Sequence, residues 1–235
     1  MPRRARVVAV GYPHHVTQRG NSRQQVFFEP DDRVVYLDLV QEYARHYQLR
    51  IISYCLMTNH VHWVVVPEED DSLAKALGKA HYRYAQHVNK RRQRTGHLWQ
   101  NRFYSCPLEG GHLITGLRYV EQNPVRAGLA EIPWHWPWSS AAAHVGAADW
   151  PEWLDRQDWP GELEPTCWQQ VLVTEGGLEA ESVLRASTIQ GCPVGGLGFV
   201  EALEKRAGRS LRLMPPHRPA KNGDCPAFGN GDCPT

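Results

Sequence analysis

The chain has 235 residues, enough for one domain of moderate size with an appendage, and its formal net charge of +1 conceals an asymmetry. Residues 1–130 carry 18 Lys and Arg against 11 Asp and Glu, residues 131–182 carry 1 against 10, and residues 183–235 carry 7 against 4. Cysteines at 55, 106, 167, 192, 225 and 233 form no Cys-x-x-Cys pair, which argues against a zinc site or a disulfide scaffold. The start Met1-Pro2-Arg3-Arg4-Ala5-Arg6 lacks the apolar core of a signal peptide, and no apolar run of ~20 residues could span a membrane. No membrane partner and a cytoplasmic location are the default expectations.

In chain order, Arg6-Val7-Val8-Ala9-Val10 and His14-His15-Val16-Thr17-Gln18 read as strand pieces around Gly11-Tyr12-Pro13, and Arg19-Gly20-Asn21-Ser22 as a turn. Pro30-Asp31-Asp32 opens a helix whose apolar positions are Val34, Val35, Leu37, Leu39, Val40, Tyr43, Ala44 and Tyr47. A second strand runs from Leu49 to Leu56. The third, within Leu56 to Val66, is rich in β-branched and aromatic residues and stops at Pro67-Glu68-Glu69-Asp70.

That third strand carries His60-Val61-His62-Trp63. Alternation along a strand puts both imidazoles on one face and Val61 and Trp63 on the other. The spacing alone is not specific, since a surface histidine beside a hydrogen-bonded one gives the same pattern. A histidine-triad hydrolase would need a third His where Val64 stands, and the two-motif phosphodiesterases need a second His-x-Ser/Thr that no strand-like stretch supplies.

A long helix is expected from Asp71-Ser72 to about Arg94, with Leu73, Ala76, Leu77, Ala80, Tyr84 and Val88 on one face and a cationic end at Lys90, Arg91, Arg92 and Arg94. His97 to Cys106 reads as a fourth strand that mixes aromatic and basic residues. A helix follows from about Gly111 to Asn123, where Pro124 disfavours continuation. Strand, helix, strand, strand, helix, strand, helix predicts an α+β fold: a ferredoxin-like split βαβ sandwich on a central antiparallel sheet. Beyond Leu129 the chain turns irregular and aromatic, then acidic, with a small helix near Gly198 to Arg209. The expected division is residues 1–146 as the functional domain, 147–214 as an acidic linker with a small C-terminal helical appendage, and 215–235 as a disordered tail.

On the Gly111–Asn123 helix, Tyr119 and Asn123 are four apart and share a face. The stretches His15-Val16-Thr17-Gln18-Arg19-Gly20-Asn21, Cys55-Leu56-Met57-Thr58-Asn59-His60-Val61-His62, Leu98-Trp99-Gln100-Asn101-Arg102-Phe103, Arg118 to Gly128 and Trp136-Pro137-Trp138-Ser139-Ser140, in that order, resemble the REP-associated tyrosine transposases and the related His-hydrophobic-His single-strand insertion-sequence transposases. The resemblance covers about residues 14–145. It implies Tyr119 as nucleophile, His60 and His62 as metal ligands, and Asn123 as the third ligand, with Gln122 as its fallback. It further implies Mg²⁺ or Mn²⁺ as cofactor, two imidazoles leaning towards Mn²⁺, and a single-stranded, hairpin-forming DNA partner cut through a 5′-phosphotyrosine.

Arg19, Arg102, Arg118 and Arg126 are the candidate phosphate contacts and Trp99 the candidate stacking platform. With a single such tyrosine, a monomer using it sequentially or a homodimer would be needed for strand exchange. Two other readings stay open at this stage. One is a catalytically silent hairpin-DNA-binding protein, and the other a small-molecule phosphodiesterase using the histidine pair.

Overall fold

The computed structural model describes residues 5–161, 163–174 and 177–214. Strands β1 (His14–Arg19), β2 (Leu49–Leu56), β3 (His60–Pro67) and β4 (Tyr104–Pro107) form one sheet in the order β2-β3-β1-β4, antiparallel throughout. Helix α1 (Asp32–His46) joins β1 to β2, and α2 (Ser72–Arg91) joins β3 to β4. This is the expected split βαβ arrangement. After β4 come α3 (His112–Glu121), α4 (Asn123–Arg126), α5 (Ala141–His144), α6 (Pro165–Val173), α7 (Leu178–Gln190) and α8 (Leu197–Ala207).

The β2 and β3 strands are apolar on both faces because both faces are covered. Val16, Tyr54, Leu56, Val61, Trp63 and Val65 point towards α1 and α2, meeting Tyr36, Val40, Leu73, Leu77, Ala80 and Tyr84. Val64 and Val66 point the other way, into a cluster with Leu117 and Val120 of α3, Ala141 of α5, and Trp168 and Leu172 of α6. A register shift between Ile51 and Ser53 lets Ile51 join the first cluster and Ile52 the second.

Two strand expectations change. Residues 6–10 form no strand; Val7 and Ala9 instead pack on Phe199 and Leu203 of α8, together with Leu211. The fourth strand is shorter than His97–Cys106, because Asn101 takes a left-handed conformation (φ 53°) and turns the chain. Trp99 makes only an isolated bridge to Gly20 before that turn.

Residues on both sides of position 146 share the core. Leu154 lies in the α1/α2 cluster and Trp168 in the α3 cluster, and Arg50 of β2 pairs with Glu68, Asp155 and Asp158. The segment expected as an acidic linker therefore packs directly against the sheet. The expected disorder of 215–235 falls outside the described residues. Among the described residues no helix is long and apolar enough to cross a membrane.

Candidate active site

The α3-facing side of the sheet is polar at Ser53 of β2 and again where β1 meets the start of β3. Register sets Thr17 opposite His62 and Arg19 opposite His60, so alternation brings His15, Thr17 and Arg19 of β1 to the same face as the histidine pair. The His60 and His62 ring centroids are 4.9 Å apart, and those of His62 and His15 are 5.3 Å apart, nearly coplanar in orientation.

Helix α3 closes this face. Gly116 permits the close approach, since an added Cβ would stand 2.7 Å from Leu108 Cδ1. Its rotation is fixed by Glu121, which is fully buried. That carboxylate accepts from Ser53 and Ser140 Oγ at 3.0 and 2.6 Å and from Trp168 Nε1 at 2.8 Å, and it lies 2.5 Å from His144 Nδ1. Burial alone would raise the Glu121 pKa, but His144 and the Ser140 and Trp168 hydrogen bonds together hold it below the ordinary value.

With Glu121 turned inward, Tyr119, two residues earlier, faces roughly the opposite side of the helix. Its ring centroid lies 5.5 Å from that of His62 and 5.3 Å from that of His15. Asn123 stays helical despite preceding Pro124. Its Nδ2 donates to the Tyr119 and Val120 carbonyls at 2.8 and 3.3 Å, which leaves Oδ1 without a hydrogen bond among the described residues.

His15, His60, His62, Tyr119 and Asn123 all line one open cavity of about 650 Å³. Gln122 does not; its side-chain amide donates to the Leu172 carbonyl on α6. The remaining candidates divide. Arg19 and Arg126 line the cavity, and the Arg126 guanidinium lies 4.4 Å from the Tyr119 ring centroid and pairs with Glu181 at 2.8 Å. Arg118 is used elsewhere, pairing with Glu181 at 2.6 Å and donating to the Val171 and Thr174 carbonyls.

Arg102 lines a neighbouring cleft with Arg6 and Arg209. Trp99 is the clearest departure. It is 8% exposed, on the far side of the sheet, packed against Tyr36, Tyr84 and His81 and donating Nε1–H to the His81 carbonyl. A buried indole with its N–H satisfied has no face to offer a base.

Residues that sequence reasoning missed come from α7: Glu181, Arg185 and Thr188 all line the cavity. No motif signals them, because they reach the site only through the tertiary packing of α7 on β4, β1 and α3. His15 did carry a signal. It lies in the same alternation as Thr17 and Arg19, one strand away from the histidine pair.

The imidazoles are neutral near pH 7. Burial, Arg19 and Arg185 bring His60 down to about 4; burial, then His60 and His15, bring His62 well below its usual value; burial and Arg126 bring His15 to about 3. Burial and the nearby Arg23 and Arg185 also lower the Arg19 pKa, the signature of cations gathered with little compensating anion.

These residues fit a divalent cation. His60 Nδ1 lies 2.7 Å from Asn59 Oδ1, an acceptor, so its proton sits there and Nε2 keeps its lone pair. Two neutral imidazoles and an uncommitted amide oxygen are a nitrogen/oxygen set suited to Mn²⁺ or Mg²⁺. Among the described residues no group of three or more His, Cys, Asp or Glu could hold a metal ion, this cavity included, so the candidate set is two imidazoles and one amide oxygen.

The family described as "Transposase IS200 like" matches residues 9–123 of the chain. A Haemophilus influenzae protein bearing the name REP-associated tyrosine transposase is 30% identical over 129 residues, which cover 50% of this chain and 70% of that protein. The chain belongs to the REP-associated tyrosine transposases. A solved structure of a REP-associated tyrosine transposase bound to a REP hairpin has the same fold, with a TM-score of 0.54 over 64% of this chain and 89% of that one, at 19% identity. In this member of the family, the matched residues 9–123 supply both histidines, Tyr119 and Asn123, whereas Glu181, Arg185 and Thr188 lie beyond them.

Proposed function

We propose that this transposase is a metal-dependent single-strand endonuclease and strand transferase that acts at hairpin-forming DNA through a 5′-phosphotyrosine at Tyr119. The observation that carries the reading is the meeting of Tyr119 with His60, His62 and the free Asn123 oxygen in one open, cationic cavity. The hairpin partner is suggested by the relative solved with a REP hairpin.

Mg²⁺ or Mn²⁺ held by His60 Nε2, His62 and Asn123 Oδ1 would supply polarisation of a non-bridging phosphate oxygen. Arg19, opposite His60, and Arg185, across the cavity, would hold the flanking phosphates by charge-assisted hydrogen bonds. The Arg126 guanidinium against the Tyr119 ring fixes the ring's direction and favours developing negative charge on the phenol oxygen.

The Tyr119 oxygen forms a bond to phosphorus as the bond from phosphorus to the 3′ oxygen breaks; in net terms the phenol proton ends on the departing 3′-hydroxyl. Phenoxide is a far better leaving group than hydroxide. An incoming 3′-hydroxyl can therefore reverse the step, and cleavage and rejoining are one chemistry.

The test mixes the full chain with end-labelled single-stranded hairpin DNA and Mn²⁺ or Mg²⁺ and looks for a denaturation-resistant protein–DNA band. The band is expected from wild type and absent from Tyr119→Phe and His60→Ala. A wild-type protein that binds hairpins yet gives no band with either ion, across a broad set of hairpins, would leave only the silent DNA-binding reading.

A further inference from the structure

The α7 wall of the cavity carries a row of hydrogen bonds whose directions follow from chemistry alone. Thr188 Oγ1 lies 2.8 Å from the Leu184 carbonyl, which can only accept, so the single hydroxyl proton is committed there. The same oxygen lies 2.8 Å from His15 Nδ1 and 3.1 Å from Cys106 Sγ, and with no second proton it must accept from both. A neutral imidazole has one N–H. His15 therefore carries its proton on Nδ1 and presents a lone pair on Nε2.

That lone pair faces His62 Nδ1 at 3.0 Å, so His62 donates from Nδ1. Its Nε2 is then unprotonated and keeps its lone pair. His60 reaches the same tautomer by a separate route, through Asn59.

We propose that Thr188 is a positioning residue which, through His15, holds His62 in the Nδ1–H tautomer and so keeps its Nε2 lone pair available to a divalent cation. The cation-binding role of His62 in this inference rests on the reading given under Proposed function. Helix α7, outside the residues matched by the family, then becomes a working part of the site rather than an appendage.

Removing the hydroxyl reverses the row. In Thr188→Val the His15 Nδ1–H would be buried without an acceptor, and the proton moves to Nε2, where His62 Nδ1 can accept it. His62 would then carry its own proton on Nε2, and a protonated nitrogen cannot ligate. Thr188→Ser keeps the hydroxyl and with it the original direction.

Long-range ¹H–¹⁵N correlation spectra of metal-free, ¹⁵N-histidine-labelled full chain read the tautomer directly, with His62→Gln identifying the signal. Free Mn²⁺ measured by electron paramagnetic resonance reads the affinity. Wild type and Thr188→Ser are expected to show His62 protonated on Nδ1 and to bind Mn²⁺ alike. Thr188→Val is expected to move that proton and to bind Mn²⁺ about 10–100-fold more weakly, the usual cost of losing a residue that orients a ligand.

A wild-type His62 protonated on Nε2 overturns the proposal, even if Thr188→Val fails to fold. So does a folded Thr188→Val that keeps the wild-type tautomer, whatever its affinity, because a loss of binding would then be a packing effect. If the tautomer switches as expected but not even wild type binds Mn²⁺, the hydrogen-bond assignment stands and the cation reading of the site is what fails.

Discussion

Lowering the pH should destabilise this protein well before its carboxylates are protonated. Burial holds His14 down to about 4 and His15 and His81 to about 3, and all three are within 7% of complete burial. In the unfolded chain each takes up a proton near the ordinary value of about 6.5. The unfolded state therefore binds more protons in the window from about 6.5 down to the folded values, and stability falls as pH falls through that window. Each proton withheld costs about 1.4 kcal/mol per pH unit, so three histidines remove about 3–4 kcal/mol between pH 6 and pH 5. That is a large part of a typical total of about 5–15 kcal/mol. In metal-free protein His60 and His62 add to the slope with the same sign. Glu121 works lower: its contribution is present above the unfolded carboxylate value and is lost as pH falls through its depressed folded value. Urea melts of the metal-free protein at pH 7, 6, 5.5 and 5 measure the slope, and His81→Gln, remote from the cavity, should reduce it by roughly one proton. A loss below about 1 kcal/mol between pH 6 and pH 5 would mean the folded protein accepts these protons, and the desolvation argument would fail.

Trp99→Ala should cost about 3–5 kcal/mol in a urea melt and leave the hairpin-DNA affinity of the folded fraction unchanged; the opposite pattern would return Trp99 to the DNA surface. Glu181→Ala removes the carboxylate that pairs both Arg118 and Arg126 and should cost about 2–3 kcal/mol by the same assay; unchanged stability would show those ion pairs to be idle. Arg19→Gln and Arg185→Gln should each reduce the slope of log affinity against log salt for single-stranded hairpin DNA by about 0.7–0.9, whereas an unchanged slope removes that residue from phosphate contact. A chain ending at residue 146 lacks Trp168, Leu154 and the Trp168 hydrogen bond to Glu121, and should lose cooperative unfolding and near-ultraviolet circular dichroism; full-length stability in that fragment would make the later segment dispensable.

Strands, helices and the histidine pair were legible in the sequence because each depends on local periodicity. Leu49–Leu56 is found where its apolar, isoleucine-bearing run sets it, and α1 and α2 start at their acidic and serine-bearing ends. Trp99 was misleading for a physical reason: an aromatic residue interleaved with arginines has the same pattern whether its face is packed or open, and only the turn at Asn101 decides. Arg118 was equally ambiguous, since a helical arginine beside Tyr119 can hold phosphate or a carboxylate on another helix. The position of Glu181, Arg185 and Thr188 had no local signal whatever. They lie about 60–70 residues after Tyr119; Glu181 belongs to an acidic stretch that reads as solvated surface yet is itself turned inward to pair two arginines, and Arg185 and Thr188 follow just beyond that stretch.

Acid sensitivity and ligand chemistry share one cause. A histidine binds a cation only as the neutral base, and near neutral pH an exposed imidazole is already partly protonated. Burial under α3 and α7, with Arg19, Arg126 and Arg185 close by, removes that competition: desolvation and like charge both oppose the proton. Under the proposed function the same arginines would serve an incoming polyanion, whose phosphates would relieve the repulsion they exert on one another. A site assembled from an open sheet face alone could offer the two histidines but not their neutrality. The helices packed after β4 supply it, which is why Tyr119, the Glu121 brace and the α7 wall belong together: the brace sets the face of α3 that carries Tyr119, and the wall hydrogen-bonds His15, which in turn hydrogen-bonds His62.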